Sequence, residues 1–261
     1  MYQNSSAKLF ERIQTGYDFR LGDYISKGWN IFSQNMGLFV GYTLAYLGIN
    51  IAASVIPIVG SLALMVINPV LTIGPFIVAN CIDRNEPYEF KTFFKGFEKL
   101  GSLFVTYLLQ ILVIIAAMLP GLIALFSSVG LSLFSGEGLG GTAPVGLLSG
   151  LLLIAIPVIY LSISYTLAFP LVWFYDLQPW QALETSRKLV GKQWFIWLIF
   201  LFVLGLLVMA GLIVLIVGVL LAIPAVTCAL YAAMADVTGL NEQIEAPGEG
   251  DITRHFGDML E

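Results

Sequence analysis

Four long runs of apolar residues without a charged side chain set the pattern of the sequence. Asp, Glu, Lys, Arg and His are absent from residues 35–80, 101–135, 138–175 and 193–235. A hydrocarbon core about 30 Å thick is crossed by about 20 helical residues, so each run can hold two helices, or one helix and a loop. In lipid every backbone N–H and C=O must be paired, which leaves helices and closed barrels, and the runs lack the alternation of a barrel strand. The pattern therefore predicts an all-α integral membrane protein.

Turn residues divide these runs into six predicted transmembrane helices, joined as three hairpins. Short turns lie around Pro57 and Gly60 and around Val217 and Gly218, whereas a longer glycine-rich stretch, 127–146, separates the middle pair. The predicted spans are 36–57, 60–82, 101–125, 147–172, 195–215 and 217–235.

An amphipathic segment precedes each predicted hairpin. The clearest is 88–100, where five apolar residues fall on one helical face and four charged residues on the other. This pattern is typical of a helix that lies in the plane of the membrane interface with its apolar side toward lipid. Segments 21–35 and, more weakly, 179–192 repeat it, with Ile25 and Phe32 expected to face lipid; tilted ends of the spans are the alternative. The predicted interfacial anchors are Trp29, Phe90, Phe94, Phe97, Trp180 and Trp194.

The ends of the three hairpins share a further pattern. Asp83, Asp176 and Asp236 each follow a span, and the first two are followed within four residues by a proline and then an aromatic residue. Proline suits the first position of a helix, so this motif marks the start of the next segment. We interpret the order of features as a pseudo-threefold repeat of 21–83, 88–176 and 179–236. Chance similarity between apolar segments is the alternative.

Charged residues are almost confined to one side of the six predicted spans. All twelve lysine and arginine residues lie on the side of the termini, and Glu137 is the one charge in the opposite loops. Positive charge near span ends marks the cytoplasmic side. We therefore expect a cytoplasmic segment 1–20, a membrane domain 21–237, and a cytoplasmic tail 238–261 with six carboxylates against one arginine. Only 11% of residues are charged, against about 25% in soluble domains.

No arrangement of residues for catalysis or metal binding is visible in the sequence. A metal site needs several converging His, Cys or carboxylate ligands, but His255 is the sole histidine, and Cys81 and Cys228 lie in separate apolar runs. The glycine-rich stretch 136–146 lacks the Gly-Lys-Ser/Thr of a phosphate loop. We expect no enzymatic activity, no cofactor and no nucleic-acid partner. The expected partners are the lipid bilayer and a protein at the cytoplasmic face, with the oligomeric state left open.

Prolines within the spans keep a transport function open. Ion-coupled transport commonly uses charged groups inside the spans, and none lies there. Interrupted spans at corresponding positions of a repeat can indicate a transporter's binding site, although prolines are common in membrane helices generally. The tentative polar or broken-helix positions are Asn68, Pro69, Pro75, Pro157, Pro170 and Pro224.

Residues before the first and fifth spans carry a family resemblance. Ser26-Lys-Gly-Trp29, the stretch 176–182 and the stretch 186–194 resemble a diffuse bacterial family of uncharacterised polytopic membrane proteins. The pattern is also similar to the membrane domain found ahead of some glycerophosphodiester phosphodiesterases. The resemblance covers about residues 20–237 and implies a bacterial cytoplasmic-membrane protein. It transfers neither the phosphodiesterase activity, whose soluble barrel has no room here, nor any functional residue.

Two functions follow from these expectations. The first is a non-enzymatic membrane protein that acts as a scaffold, an assembly factor or a partner subunit, because the amphipathic segments and the tail are presented on one face. The alternative is a passive carrier or flippase for lipid or a neutral small solute, which would use the proline-containing spans.

Cysteine labelling with a membrane-impermeant reagent tests the six-span topology. Cysteines introduced as Lys95→Cys and Lys188→Cys are expected to react only from the cytoplasm, and Glu137→Cys only from outside, because an even number of spans places these positions on opposite sides. The parent protein, with native Cys81 and Cys228 in apolar runs, provides the background. Labelling of Glu137→Cys from the cytoplasm alone would contradict the arrangement.

Overall fold

The computed structural model describes residues 9, 11–134, 143–213 and 215–240. Within these residues the regular structure is helical, with no strand. Pro57 and Pro179 each occupy the first turn of a helix, where the missing N–H costs no helical hydrogen bond. The helices are α1 (Leu21–Gln34), α2 (Met36–Ser54), α3 (Pro57–Asp83), a 3₁₀-helix (Phe90–Lys99), α4 (Leu100–Phe134), α5 (Ala143–Ser164), α6 (Ala168–Tyr175), α7 (Pro179–Lys192), α8 (Trp194–Ile213) and α9 (Leu215–Val237).

Six helical segments of the described chain are long and apolar enough to cross a membrane. They confirm the number of spans predicted from the charge-free runs and, within a few residues, most of the predicted boundaries. The segments are Met36–Ser54, Ile58–Asp83, Phe90–Gly130, Pro144–Tyr175, Trp194–Ile213 and Gly218–Val237. The chain is therefore a multi-pass membrane protein with an all-helical fold.

The stretch 127–146, predicted as a loop, is helical over most of its length. Helix α4 continues to Phe134 and α5 begins at Ala143, while 135–142 and Glu137 with them lie outside the described residues. Gly146 in this stretch permits close helix packing, because a Cβ there would collide with the side chain of Ser128 on α4. Small residues allow membrane helices to approach closely, and the prediction was wrong because it took the glycine content of this stretch as the sign of a loop.

The buried core lies at one end of the spans, which we call the charged end because Asp83, Asp176 and Asp236 lie there. The last turns of α3, α6 and α9 supply much of this core, and Val78, Leu171, Ala233 and Met234 are among its fully enclosed residues. Toward the other end the apolar side chains are exposed, as lipid-facing residues would be. Examples are Ile58 at 78%, Phe126 at 76% and Ile156 at 65% exposure.

The amphipathic segments pack against this core. Phe32 of α1, predicted to face lipid, is fully buried, because α1 packs on α9. Phe93 is also fully buried, and its ring stacks on that of Tyr42 with centroids 4.3 Å apart. The segment that carries Phe93 is a 3₁₀-helix, whose period of three aligns Phe93 with Gly96 against α3. The lipid-facing assignment was therefore wrong for these two rings.

Helices α1 and α9 touch through their backbones. A Cβ on Gly28 would collide with the backbone nitrogen and Cα of Ala229 and would lie 2.8 Å from the Cβ of Ala229. No side chain larger than hydrogen fits at this crossing unless the helices separate. Gly28 therefore fixes how closely the first amphipathic helix approaches the last span.

Substitution of Gly28 by alanine is expected to destabilise the protein by about 1–3 kcal/mol, since overpacking a close contact forces the backbone to move. The matched control is Gly22→Ala in the same helix, where nothing lies within 4 Å of the added Cβ; alanine there is expected to be neutral or to stabilise by up to about 1 kcal/mol. Thermal unfolding in mild detergent measures both. Equal melting temperatures for the two variants would contradict the contact.

Candidate functional site

Asp83, at the end of α3, is held by residues from two other helices. The Nζ of Lys27 on α1 lies 2.8 Å from its carboxylate, and the hydroxyl of Tyr231 on α9 donates a 3.2 Å hydrogen bond to it. The Tyr231 hydroxyl also lies 3.2 Å from the side-chain oxygen of Asn80. Because the Asp83 side chain is only 13% exposed, these partners replace most of its hydration. The site links α1, α3 and α9.

Asp176 ends α6 in a left-handed conformation with φ of 53° and binds Lys99. The Lys99 Nζ lies 2.6 Å from the carboxylate and also donates to the carbonyls of Val172 and Trp173, at 3.3 and 3.2 Å. Lysine therefore satisfies the free carbonyls at the end of a helix, where a positive charge is also favoured by the helix dipole. The carboxylate itself is 74% exposed.

Asp236, near the end of α9, accepts a 2.6 Å hydrogen bond from the Tyr24 hydroxyl on α1, and Arg20 lies 3.5 Å away. Burial, and next the hydrogen bond to the Asp236 carboxylate, raise the pKa of Tyr24 above its usual range. Tyr24 therefore stays protonated and can donate to the carboxylate. All three aspartates that the sequence pattern singled out are thus paired within the chain.

The segment before α1 docks on α7 and α8 through Tyr17. Its hydroxyl donates to the carbonyl of Leu189 at 2.9 Å and accepts from the indole N–H of Trp197 at 2.8 Å. The Gln193 side chain also donates to the Tyr17 carbonyl at 2.6 Å. Burial raises the pKa of Tyr17 to about 12, while the hydrogen bond from Trp197 opposes this shift. The sequence analysis did not identify Tyr17, because a single aromatic residue in a polar segment carries no periodic signal.

The predicted broken-helix positions mostly lie in continuous helices. Pro69 and Pro75 lie inside α3, Pro157 inside α5 and Pro224 inside α9. The carbonyl of Leu71, which would have bonded the missing N–H of Pro75, instead accepts a 2.5 Å hydrogen bond from Tyr42. The prolines therefore do not interrupt these helices.

Asn68 is the one polar side chain among the tentative positions. Its amide oxygen is buried and has no hydrogen-bond partner within the described residues. Its backbone carbonyl accepts a 2.8 Å hydrogen bond from the hydroxyl of Thr72.

The fourth span contains a true interruption, at residues 165–167 between α5 and α6. Ser186 of α7 is fully buried beside it, donates to the Ser164 carbonyl at 2.6 Å and accepts from the Leu167 N–H at 3.2 Å. One hydroxyl thus satisfies a donor and an acceptor that the break releases. Pro170, the remaining tentative position, lies in the first turn of α6 beyond the break. The signal for Ser186 was a polar residue on the buried side of an amphipathic helix.

The predicted anchors fall into two groups. Four project from the protein surface, with exposures of 54% for Trp29, 44% for Phe90, 42% for Phe97 and 58% for Trp180. Phe94 and Trp194 are partly buried against the core, and Trp194 has a ring neighbour in Tyr160 at 5.8 Å.

The chemistry of these residues is that of joining helices. Among the described residues no group of three or more His, Cys, Asp or Glu side chains could hold a metal ion. Cys81 and Cys228 are buried free thiols. The carboxylates of Asp83, Asp176 and Asp236 each face a lysine, arginine or tyrosine of another element. These contacts hold the spans together, and we call this region the interlocked charged end.

Loss of the Asp83 charge in Asp83→Asn is expected to destabilise the protein by about 1–3 kcal/mol, because Lys27 loses its counter-ion at a site where the carboxylate is only 13% exposed. The matched change Asp176→Asn breaks an exposed pair, keeps a residue type that tolerates the left-handed conformation, and is expected to cost less than about 1 kcal/mol. Unfolding in detergent, followed by circular dichroism, compares them. A larger loss for Asp176→Asn would contradict the assignment.

High pH is expected to loosen the docked segment through Tyr17. Its pKa is 10.0 in the unfolded reference and about 12 in the protein, so its stabilisation is complete below pH 10 and is lost as the pH rises through about 12. The advantage of the wild type over Tyr17→Phe, measured by thermal unfolding, should shrink over this interval by on the order of 2 kcal/mol. A constant difference between the two proteins would contradict this role.

Comparisons with known proteins supply no relative for this chain. No family model, curated protein or solved structure matches it. Support for a function therefore comes from the positions and contacts of its own residues.

Proposed function

We propose that this chain is a non-enzymatic membrane protein that acts as a scaffold, an assembly factor or a partner subunit. The observation that carries the proposal is the interlocked charged end. Asp83, Asp176 and Asp236 bind residues of other elements and do not converge on a shared cavity. Such an arrangement stabilises one relative placement of the helices, which suits a protein whose role is to present a surface.

We infer that the spans form three hairpins related by a pseudo-threefold repeat. Three pairs of consecutive spans, α2–α3, α4–α5 and α8–α9, pack against each other, and each returning span ends at one of the aspartates. In the first two units the aspartate binds a lysine of its own amphipathic segment, Lys27 or Lys99. This recurring pairing supports the repeat.

The charged end is proposed to face the cytoplasm of a bacterial cell, in the inner membrane. The positive-inside rule supports this orientation, because the lysines and arginines of the described residues lie at the ends of the spans where Asp83 lies. Both termini would then be cytoplasmic. The family resemblance of residues 20–237 supports the bacterial inner membrane.

The surface proposed for a protein partner is the outward side of α7. Gln181, Lys188 and Gly191 are exposed there, while Leu183 and Leu189 on the other side are buried. Lys188 makes a 3.3 Å contact with Glu184 on the same helix, so it holds no other element in place. Its charge can therefore be reversed without breaking a contact between helices.

Affinity purification in mild detergent with quantitative mass spectrometry tests this function. A partner should co-purify in a fixed ratio with the wild type, and Lys188→Glu should lower its recovery several-fold while changing the free energy of unfolding by less than about 1 kcal/mol, the cost of losing the contact with Glu184. The matched control is Leu212→Ala on the lipid-facing side of α8, where the side chain is 59% exposed; its recovery should equal that of the wild type. The proposal would be contradicted if the chain purifies without a partner and if deletion of its gene causes no defect in binding.

The second candidate is a passive carrier or flippase for lipid or a neutral small solute. The observation that favours it is the interruption of the fourth span at residues 165–167, which Ser186 bridges. Broken helices occur at the binding sites of many transporters. Flux of labelled lipid or neutral solutes into proteoliposomes tests it, with Ser186→Ala expected to change the rate. Flux no higher than in empty vesicles would eliminate this candidate.

A further inference from the structure

An apolar groove with a volume of about 320 Å³ runs between α1, α8 and α9. Its walls are side chains without a polar group, apart from the indole of Trp29 at one end. The lining includes Ile25 and Trp29 from α1, Leu204 and Leu207 from α8, and Ala225 and Val226 from α9. The groove therefore offers dispersion contacts but almost no hydrogen bonds.

Two close helix contacts bound the groove. At the charged end α1 crosses α9 at Gly28 and Ala229, and toward the opposite end α8 meets α9 at Gly211 and Gly218. From Ala229 to Gly218 is about 16 Å along a helix at 1.5 Å per residue. This length is about half of the 30 Å hydrocarbon core, which is the depth of one leaflet.

The size and chemistry of the groove narrow its occupant. A transmembrane helix about 10 Å wide would need on the order of 1,000 Å³ over this length, so a whole helix does not fit inside the groove. Water is unsuited, because an apolar cavity cannot supply the two to four polar partners that a buried water needs. The C-terminal residues 241–261, which include six carboxylates, are also unsuited, because their polar groups would find no hydrogen-bond partners in the groove. A single hydrocarbon chain is narrower than a helix and needs no hydrogen-bond partners.

The surroundings supply such a chain. The groove opens onto the apolar surface of the spans, because two of its own lining residues, Leu207 on α8 and Leu221 on α9, are 43% and 37% exposed. Trp29, at the charged end of the groove, is 54% exposed, and tryptophan favours the level of lipid headgroups, where its N–H can donate to polar groups. The groove thus begins at the depth of lipid ester groups and continues toward the middle of the bilayer.

We propose that this groove binds one acyl chain of a membrane phospholipid from the leaflet at the charged end, with the ester region beside Trp29. The bound chain fills the space that the small residues of α9 leave beside α8 and stabilises the contact of α1 with α9. This inference does not depend on the partner or carrier functions above, since a lipid can be held in place in either case.

Native mass spectrometry after extensive detergent washing tests the site with phosphatidylethanolamine and phosphatidylglycerol vesicles as the lipid source. The wild type is expected to retain one phospholipid, and Ala225→Phe, which fills the groove, to retain none. Leu212→Phe adds the same ring on an exposed position outside the groove and should retain lipid as the wild type does. Equal retention by wild type and Ala225→Phe, or no retention by wild type, would overturn the proposal.

A second measurement uses the wild type and does not require the filled variant to fold. The protein is placed in mixed micelles of detergent and chain-brominated phosphatidylcholine, in which free lipid exchanges rapidly, and the fluorescence of Trp29 is obtained by subtracting the spectrum of Trp29→Phe. On mixing with excess micelles that contain unbrominated phosphatidylcholine, Trp29 should recover its fluorescence more slowly than Trp180, whose contribution is obtained in the same way from Trp180→Phe. Equal recovery rates would mean that the chain at Trp29 exchanges as freely as bulk lipid and would overturn the site. A Trp29 that brominated lipid does not quench would overturn it as well.

Discussion

The burial of the Asp83 carboxylate is the constraint on which the arrangement of helices depends. A carboxylate removed from water needs an opposite charge and hydrogen-bond donors. Here these come from Lys27 on α1 and Tyr231 on α9. Because the first amphipathic helix and the last span must both reach the end of α3, the N-terminal and C-terminal parts of the membrane domain are brought together. The close crossing of α1 and α9 at Gly28 belongs to the same placement.

Backbone hydrogen bonding is the second constraint, and it explains where helices continue and where one breaks. A carbonyl freed inside the bilayer must find another donor. Tyr42 supplies it at Leu71, so α3 passes through Pro75 without a break. Between α5 and α6 the break releases both a carbonyl and an N–H, and the Ser186 hydroxyl binds both. At Leu71 and at the break before α6, a side chain from a neighbouring helix therefore replaces the missing backbone partner.

The sequence was sufficient for the spans and insufficient for the contacts between them. Charge exclusion from hydrocarbon acts on every residue, so the gaps in charge were enough to locate six apolar helices. The three aspartates could be found by their spacing, but their partners could not, because Lys27 and Asp83 meet only after distant helices pack. Glycine was ambiguous: Gly146 belongs to a glycine-rich stretch that resembles a loop by composition, yet it lies in a helix that packs closely on α4. Burial of Phe32 and Phe93 was missed for a related reason, since an apolar face does not reveal whether lipid or protein covers it.

The third unit of the inferred repeat differs from the other two in the partner of its aspartate. In the first two units a lysine of the preceding amphipathic segment binds the aspartate, whereas Asp236 binds Tyr24 and Arg20 from the region of α1. Helix α7 is otherwise engaged, because it packs on α4, α5 and α6 and its Ser186 bonds the broken fourth span. Its three basic residues are engaged elsewhere. Arg187 and Lys188 contact Glu184 of the same helix, and Lys192 donates to the carbonyl of Gln14. The donor for Asp236 must then come from another unit, and α1 lies next to it because Lys27 already binds Asp83. The exception in the inferred repeat is thus the contact that binds the end of the last span to the amphipathic segment before the first.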